Sequence, residues 1–295
     1  MSASIGDFLE LFDKWAKFDL AEDWDNSGLQ VGDRGRVVQK VLIALDPSMS
    51  TIEKARELRA DLIVTHHPLI FNPLKCFEQT RVIPSRIERL IKYQIGLISL
   101  HTNLDSAEGG VNDVLAEAIG LKNLSPLVPA EKGPFGAGMG RVGSLDREWE
   151  LEEYCEFVAR RLNCFLLKVQ GDFRSKISKV ALCSGAGSSL WPNVQELGVD
   201  LYLTGEIKHS VFIEARELGI CLIDAGHFHT EWPVLHALRD FLIKNARECG
   251  WDLKIDIFDE EPIPFRGFLP SNWDQALAGA NIFNSKEKVL KRSRH

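Results

Sequence analysis

Short runs of valine, isoleucine and leucine alternate along the chain with stretches whose apolar positions recur at helical spacing. That alternation predicts helices packed over largely buried sheet. The runs at 41–45, 62–65, 97–100, 179–183, 201–204, 221–224 and 253–258 read as strands, and the segments 52–59, 84–93, 111–119, 151–162, 207–218 and 234–249 as helices. The class is α/β.

Two of these units match each other in register. Lys40-Val41 and Lys179-Val180 both open strands and lie 139 positions apart. At the same offset Glu57-Leu58-Arg59-Ala60-Asp61-Leu62-Ile63-Val64-Thr65 aligns with Glu196-Leu197-Gly198-Val199-Asp200-Leu201-Tyr202-Leu203-Thr204, with Glu, Leu, Asp, Leu and Thr identical. His101-x-x-x-Asp105 and His227-x-x-x-Glu231 each follow an apolar strand 126 positions apart, and the loop between Pro68 and Pro84 absorbs the difference. The expectation is an internal duplication: two similar α/β domains, 1–128 and 129–265, joined through the Pro- and Gly-containing stretch 125–136 and followed by an extension, 266–295. One doubly wound domain with chance similarity is the alternative.

Composition narrows the function classes. With 45% hydrophobic and 26% charged residues in 295, the chain has a globular balance that excludes disordered and low-complexity readings. The net charge of −7 divides into −11 through Phe265 and +4 beyond it, where the chain ends Lys291-Arg292-Ser293-Arg294-His295. Neither part suggests a nucleic-acid coat or a membrane-binding surface, and the basic end reads as solvated. Six cysteines without a Cys-x-x-Cys pair predict reduced thiols. Without a basic, apolar leader or a run of about 20 apolar residues, a cytoplasmic location is expected.

Candidate chemistry gathers behind the strands. Thr65-His66-His67-Pro68 ends one, His101-Thr102-Asn103-Leu104-Asp105 follows another, and Asp224-Ala225-Gly226-His227-Phe228-His229-Thr230-Glu231 a third. The carboxyl ends of strands are where α/β sheets form ligand crevices. A helix starting near Gly226 puts His227 and Glu231 on one face. Taken singly, each has a plainer reading: Asp105 as a helix cap, Thr230 and Glu231 as helix-start residues. Taken together, five of eight histidines (66, 67, 101, 227, 229) lie just past strands, which a random scatter does not produce. Imidazole and carboxylate without thiolate suit zinc, iron, manganese, cobalt or nickel in a catalytic setting. Gly138-Met139-Gly140-Arg141-Val142-Gly143 fits a dinucleotide fingerprint but has no strand feeding it and no helix after it, so it reads as a turn entering a strand. Ser184-Gly185-Ala186-Gly187-Ser188-Ser189 could hold an anion or form a tight turn.

The chain resembles the Nif-three-like dinuclear metal-binding family, often labelled GTP cyclohydrolase 1 type 2 homologues. The segments that carry the resemblance are Trp24-Asp25-Asn26-Ser27-Gly28-Leu29-Gln30-Val31-Gly32, Ala44-Leu45-Asp46, Thr65-His66-His67-Pro68, His101-Thr102-Asn103-Leu104-Asp105, Leu203-Thr204-Gly205-Glu206-Ile207-Lys208-His209 and Gly226-His227-x-x-Thr230-Glu231. The resemblance implies that His66, His67, Asp105, His227 and Glu231 hold two divalent metal ions in a site between the domains. Glu231 is then the bridge, with His67 and Asp105 favouring one ion and His66 and His227 the other. It also implies a ring-shaped homohexamer and a metal-dependent hydrolase of GTP cyclohydrolase type. Two divalent ions outweigh two carboxylates, so the pocket is expected to attract a small phosphorylated substrate such as a nucleotide. Glu206 and His209, on the counterpart of the His66-His67 turn, are candidates for substrate contact or proton transfer, unless they only form a salt-bridged helix start. His101 is a catalytic candidate, and His101 and His229 are also candidates for orienting the ligands. The rival class is a non-catalytic metal-binding regulatory scaffold. A (β/α)₈ metal hydrolase using His227-Phe228-His229 fits the length but not the two-fold repeat.

Overall fold

The computed structural model, which describes residues 2–265, places the predicted strands in two separate mixed sheets. The first has the order Lys254–Ile257, Lys40–Ala44, Leu62–Thr65, Gly96–Ser99, Gly28–Val31. The second has the order Lys122–Pro129, Gly138–Glu150, Lys176–Cys183, Leu201–Thr204, Cys221–Asp224, Lys168–Gln170. The first contains four adjacent parallel strands and the second three, and in each an antiparallel edge strand follows the last of them.

The continuous apolar runs exist because both faces of these parallel strands are covered. Along the first sheet Val41, Ile43, Leu62 and Val64 face one core, and Leu42, Ala44 and Ile63 face another. Helices Ile5–Trp15 and Val234–Cys249 supply the first core, and Met49–Leu58 and Val82–Tyr93 the second. The second sheet repeats this. Val180, Leu182, Leu201 and Leu203 face Val111–Ala118 and Leu151–Arg161, while Ala181, Cys183 and Tyr202 face Trp191–Gln195 and His209–Leu218.

The repeat read from the sequence is present in the pairing. Val41 lies opposite Leu62 and Val180 opposite Leu201, so both partners carry the 139-residue offset. The shared aspartate has a structural reason. Asp61 accepts hydrogen bonds from the N–H groups of Gln39 and Lys40, and Asp200 from those of Ser178 and Lys179, so each closes the start of the neighbouring strand.

Several elements depart from expectation. Helix Ile5–Trp15 was not predicted, although Ser4 and Asp7 form a capping box ahead of buried Ile5, Phe8, Leu9, Leu11 and Phe12. The stretch read as a linker is the antiparallel pair Lys122–Pro129 and Gly138–Glu150, and Pro126 and Pro129 sit on the sheet's edge strand, where proline is tolerated. Gly138-Met139-Gly140-Arg141-Val142-Gly143 opens that second strand; a Cβ on Gly140 would stand 2.6 Å from the Leu182 oxygen, so its glycine serves close strand approach.

The halves 1–128 and 129–265 do not follow the sheets. Residues 122–129 already belong to the second sheet, while Val234–Cys249 and Lys254–Ile257 return to the first. Met1–Glu261 packs as one unit, and the expected extension 266–295 lies outside the described residues. The six cysteines are free, and among the described residues no helix is long and apolar enough to cross a membrane.

Candidate metal centre

The carboxyl ends of the parallel strands bring together the residues the sequence singled out. Leu62–Thr65 delivers His66 and His67. Gly96–Ser99 leads to His101 and the short helix Thr102–Ser106, which carries Asp105, and Cys221–Asp224 leads to the short helix His227–Glu231. The expected one-turn spacing holds: His227 Nε2 is 3.1 Å from Glu231 Oε1.

Every one of four imidazoles is fixed through its Nδ1. His67 bonds Asp46 Oδ1 at 2.8 Å, His101 bonds Asp25 Oδ1 at 2.7 Å, His227 bonds Glu206 Oε1 at 3.0 Å, and His66 bonds the Leu100 carbonyl at 2.8 Å. An Nδ1–H donated to a carboxylate or carbonyl leaves the Nε2 lone pair free, which is how metal-bound histidines are held. Those Nε2 atoms converge. His67 and His227 stand 3.2 Å apart, and Glu231 lies between the rings, 3.6 Å from His66, 3.0 Å from His67 and 3.1 Å from His227. His66 Nε2 is 3.8 Å from Asp105 Oδ1.

The chemistry of this donor set fits metal ions. His66 Nε2 and Glu231 Oε2 are buried and make no hydrogen bond, a costly condition that a cation relieves. Ligand atoms of His66, His67 and His101 lie within 4.8 Å of one another, as do those of His67, His227 and Glu231. Charge follows the same geometry. Burial alone disfavours the ionised carboxylate, but the surrounding imidazoles hold Glu231 well below its usual value. Burial likewise opposes charge on His67 and His227, yet Glu231 raises them to about 11 and about 9. Burial raises Asp105, and the Glu231 charge adds to it against His66.

The two halves of the repeat differ at this point. Where the first carries Asp46 and His66, the second, 139 positions on, carries Gly185 and Gly205. Gly185 has φ +59°, and a Cβ there would stand 2.2 Å from Glu231 Oε1; one on Gly205 would stand 2.7 Å from the His227 Cα. At these two positions the first half places a histidine of the cluster and the aspartate that orients His67, and the second leaves room for its own Glu231 and His227. Gly185→Ala is expected to push the Glu231 carboxylate aside and weaken metal uptake by about tenfold or more while the fold survives, as read by metal analysis beside a thermal melt. Wild-type metal content in that variant would show that the fit is looser than the distance implies.

The residues expected to take part in catalysis fall in different places. His101 belongs with the candidate ligands; its match to His227 in the repeat was the available signal. His66 stands beside Asp105, and His67 lies both with His66 and His101 and with His227 and Glu231. Glu206 orients His227, while His209 is exposed at the start of His209–Leu218 and does not line the cavity described next. His229 is buried against Phe228, on the far side of its helical turn from His227 and Glu231, so it is not an orienting group for them. Asp25 and Asp46, whose roles only the fold reveals, orient His101 and His67. Burial raises the Asp25 carboxyl, but hydrogen bonds from His101 and Thr102 outweigh it and hold it low.

The cluster opens onto a cavity of about 800 Å³, within the range of small-molecule sites. His67, His101, Asp105, His227 and Glu231 form part of its wall, together with Trp24, Phe71, Met139 and Leu190. No lysine or arginine lines it among the described residues.

These features define a two-sheet α/β protein with an imidazole–carboxylate centre suited to metal ions at its strand ends. The Duf34/NIF3 (NGG1p interacting factor 3) family model matches residues 3–264, and the chain belongs to that family. It is 36% identical over 261 residues to the GTP cyclohydrolase 1 type 2 homolog of Clostridium perfringens, covering 88% of this chain and 98% of that one. Among solved structures it is similar to a Staphylococcus aureus hypothetical protein, with TM-score 0.84, 27% identity and coverage of 91% of this chain and 100% of that one. It is also similar to reduced HcgD from Methanocaldococcus jannaschii, with TM-score 0.73, 35% identity and coverage of 88% and 99%.

Proposed function

We propose that the chain holds two divalent metal ions and is a metal-dependent hydrolase of GTP cyclohydrolase type, acting on a nucleotide or related ring compound in the adjoining cavity. The observation that carries this reading is the set of four imidazoles, each tied at Nδ1, converging on one buried carboxylate that faces a cavity. His66, His67, His101, Asp105, His227 and Glu231 are the residues that would hold the ions. Bound ions would supply Lewis acidity and a water acidified toward neutrality. The protein's part is positional: Asp25, Asp46 and Glu206 fix the rings, and the Ser184 hydroxyl donates to Asp105 Oδ1 at 3.2 Å. The name shared by the curated relatives favours GTP ring opening, with formate as a product.

Metal analysis of protein purified without chelator, followed by a formate-release assay with GTP, tests this directly. The expected result is about two ions per chain, with formate release in the wild type and at least about a hundredfold less in His67→Ala. Stoichiometric metal without turnover on any nucleotide would instead assign the centre to a non-catalytic metal-binding scaffold.

A further inference from the structure

Two of the largest side chains on the cavity rim are left open. Trp24 is 58% exposed and Phe71 47% exposed, and both line the cavity beside His101. Large exposed apolar surface at a ligand-type site marks a place where something binds.

Neither ring hangs loosely. Asp25, next to Trp24, accepts hydrogen bonds from His101 Nδ1 at 2.7 Å, Thr102 Oγ1 at 2.6 Å and Ser27 Oγ at 2.9 Å. Asn26 Nδ2 donates to the carbonyl of Ile70, the residue before Phe71, at 2.7 Å. The Ile70 N–H donates to Gln30 Oε1 at 3.1 Å, and Gln30 Nε2 donates to the Asn26 carbonyl at 2.6 Å. A polar staple thus joins the loop carrying Trp24 to the loop carrying Phe71.

The spacing decides how a ligand could use them. The ring centroids are 5.7 Å apart with planes inclined at 54°. A third ring sandwiched between two needs roughly 7 Å, twice a contact distance of about 3.5 Å. No slot exists between them, and the two inclined rings line the cavity together with His101 beside them, 6.1 Å from Trp24 and 6.3 Å from Phe71. Val128, Met139 and Leu190 add apolar lining elsewhere in the cavity, and no lysine or arginine lines it among the described residues to receive a phosphate.

We propose that Trp24 and Phe71 form a stacking wall for a neutral, fused heteroaromatic ring, so that the site selects its ligand by the ring face and not by a phosphate group. The inference rests on the hydrolase reading for the site's purpose, and it names the substrate class. A ring stacked on this wall lies next to His101, with its edge toward the ligand cluster.

Calorimetric titration of the metal-loaded full chain with guanosine, and separately with ribose 5-phosphate, tests the wall. Guanosine is expected to bind, and Trp24→Ala and Phe71→Ala are each expected to weaken it by about tenfold or more at unchanged metal content. Trp24→Phe, which keeps a ring, is expected to retain binding. The proposal is overturned if the wild type does not bind guanosine, if the alanine variants bind it like the wild type, or if ribose 5-phosphate binds as tightly as guanosine. Formate release separates the two claims. Wall-dependent guanosine binding without turnover keeps the wall and removes the hydrolase, whereas turnover with binding indifferent to both rings does the reverse.

Discussion

Replacing Glu231 with alanine is expected to lower metal affinity by about a hundredfold or more and to leave the purified protein almost free of ions. Its oxygens stand 3.6, 3.0 and 3.1 Å from the Nε2 atoms of three imidazoles, those of His66, His67 and His227. Its loss removes one ligand from each proposed ion. It also leaves three imidazoles facing one another without their counter-charge, so the folded metal-free protein should hold fewer protons than the wild type. Glu231→Gln separates the contributions, because it keeps the shape and removes the charge. Elemental analysis of both variants, with circular dichroism to confirm the fold, gives the answer. Full metal occupancy in the alanine variant would rule out the bridging position.

The second large effect is on pH. Burial by itself favours neutral imidazole, but Glu231 outweighs it and keeps His67 protonated up to about pH 11 and His227 up to about pH 9 in the absence of metal. A metal ion must displace those protons, so affinity should climb about tenfold per pH unit for each proton lost. Between pH 6 and pH 8 the rise should be steep, with protons released in calorimetric titrations of chelator-treated protein. An affinity that stays flat across that interval would show that the rings are already neutral.

The stability of the metal-free protein follows from the same shifts. A raised imidazole contributes fully below its ordinary value of 6.5 and loses that contribution as pH rises through about 9 for His227 and about 11 for His67. Glu231, held low, contributes fully above its ordinary value of 4.5 and loses its contribution on acidification.

Much of this molecule was legible in its sequence for a simple reason: strands buried on both faces must be uniformly apolar. All seven predicted strands and six predicted helices correspond to observed elements. Half-exposed elements hid better. Lys122–Pro129 is exposed along much of its length, so its composition resembles that of a loop. The spacing His227-x-x-x-Glu231 was readable because it is local, one turn of helix. The contacts of His67 with Asp46 and of His101 with Asp25 join residues 21 and 76 positions apart, and only the fold brings them together. The place of His101 in the cluster is legible only through its counterpart in the repeat, His227.

Strand Lys254–Ile257 completes the first sheet beside Lys40–Ala44, and shortly after it the buried Glu261 carboxylate accepts the N–H groups of Leu45 and Asp46 at 2.7 and 2.8 Å. Asp46 is the group that orients His67. During synthesis, therefore, a nascent chain that already displays every proposed ligand still has an open edge at Lys40–Ala44 and no anchor beneath Asp46 until Glu261 has left the ribosome. On the proposed reading, a chain truncated before Glu261 would emerge with its histidines in sequence but without the support beneath Asp46 that positions His67.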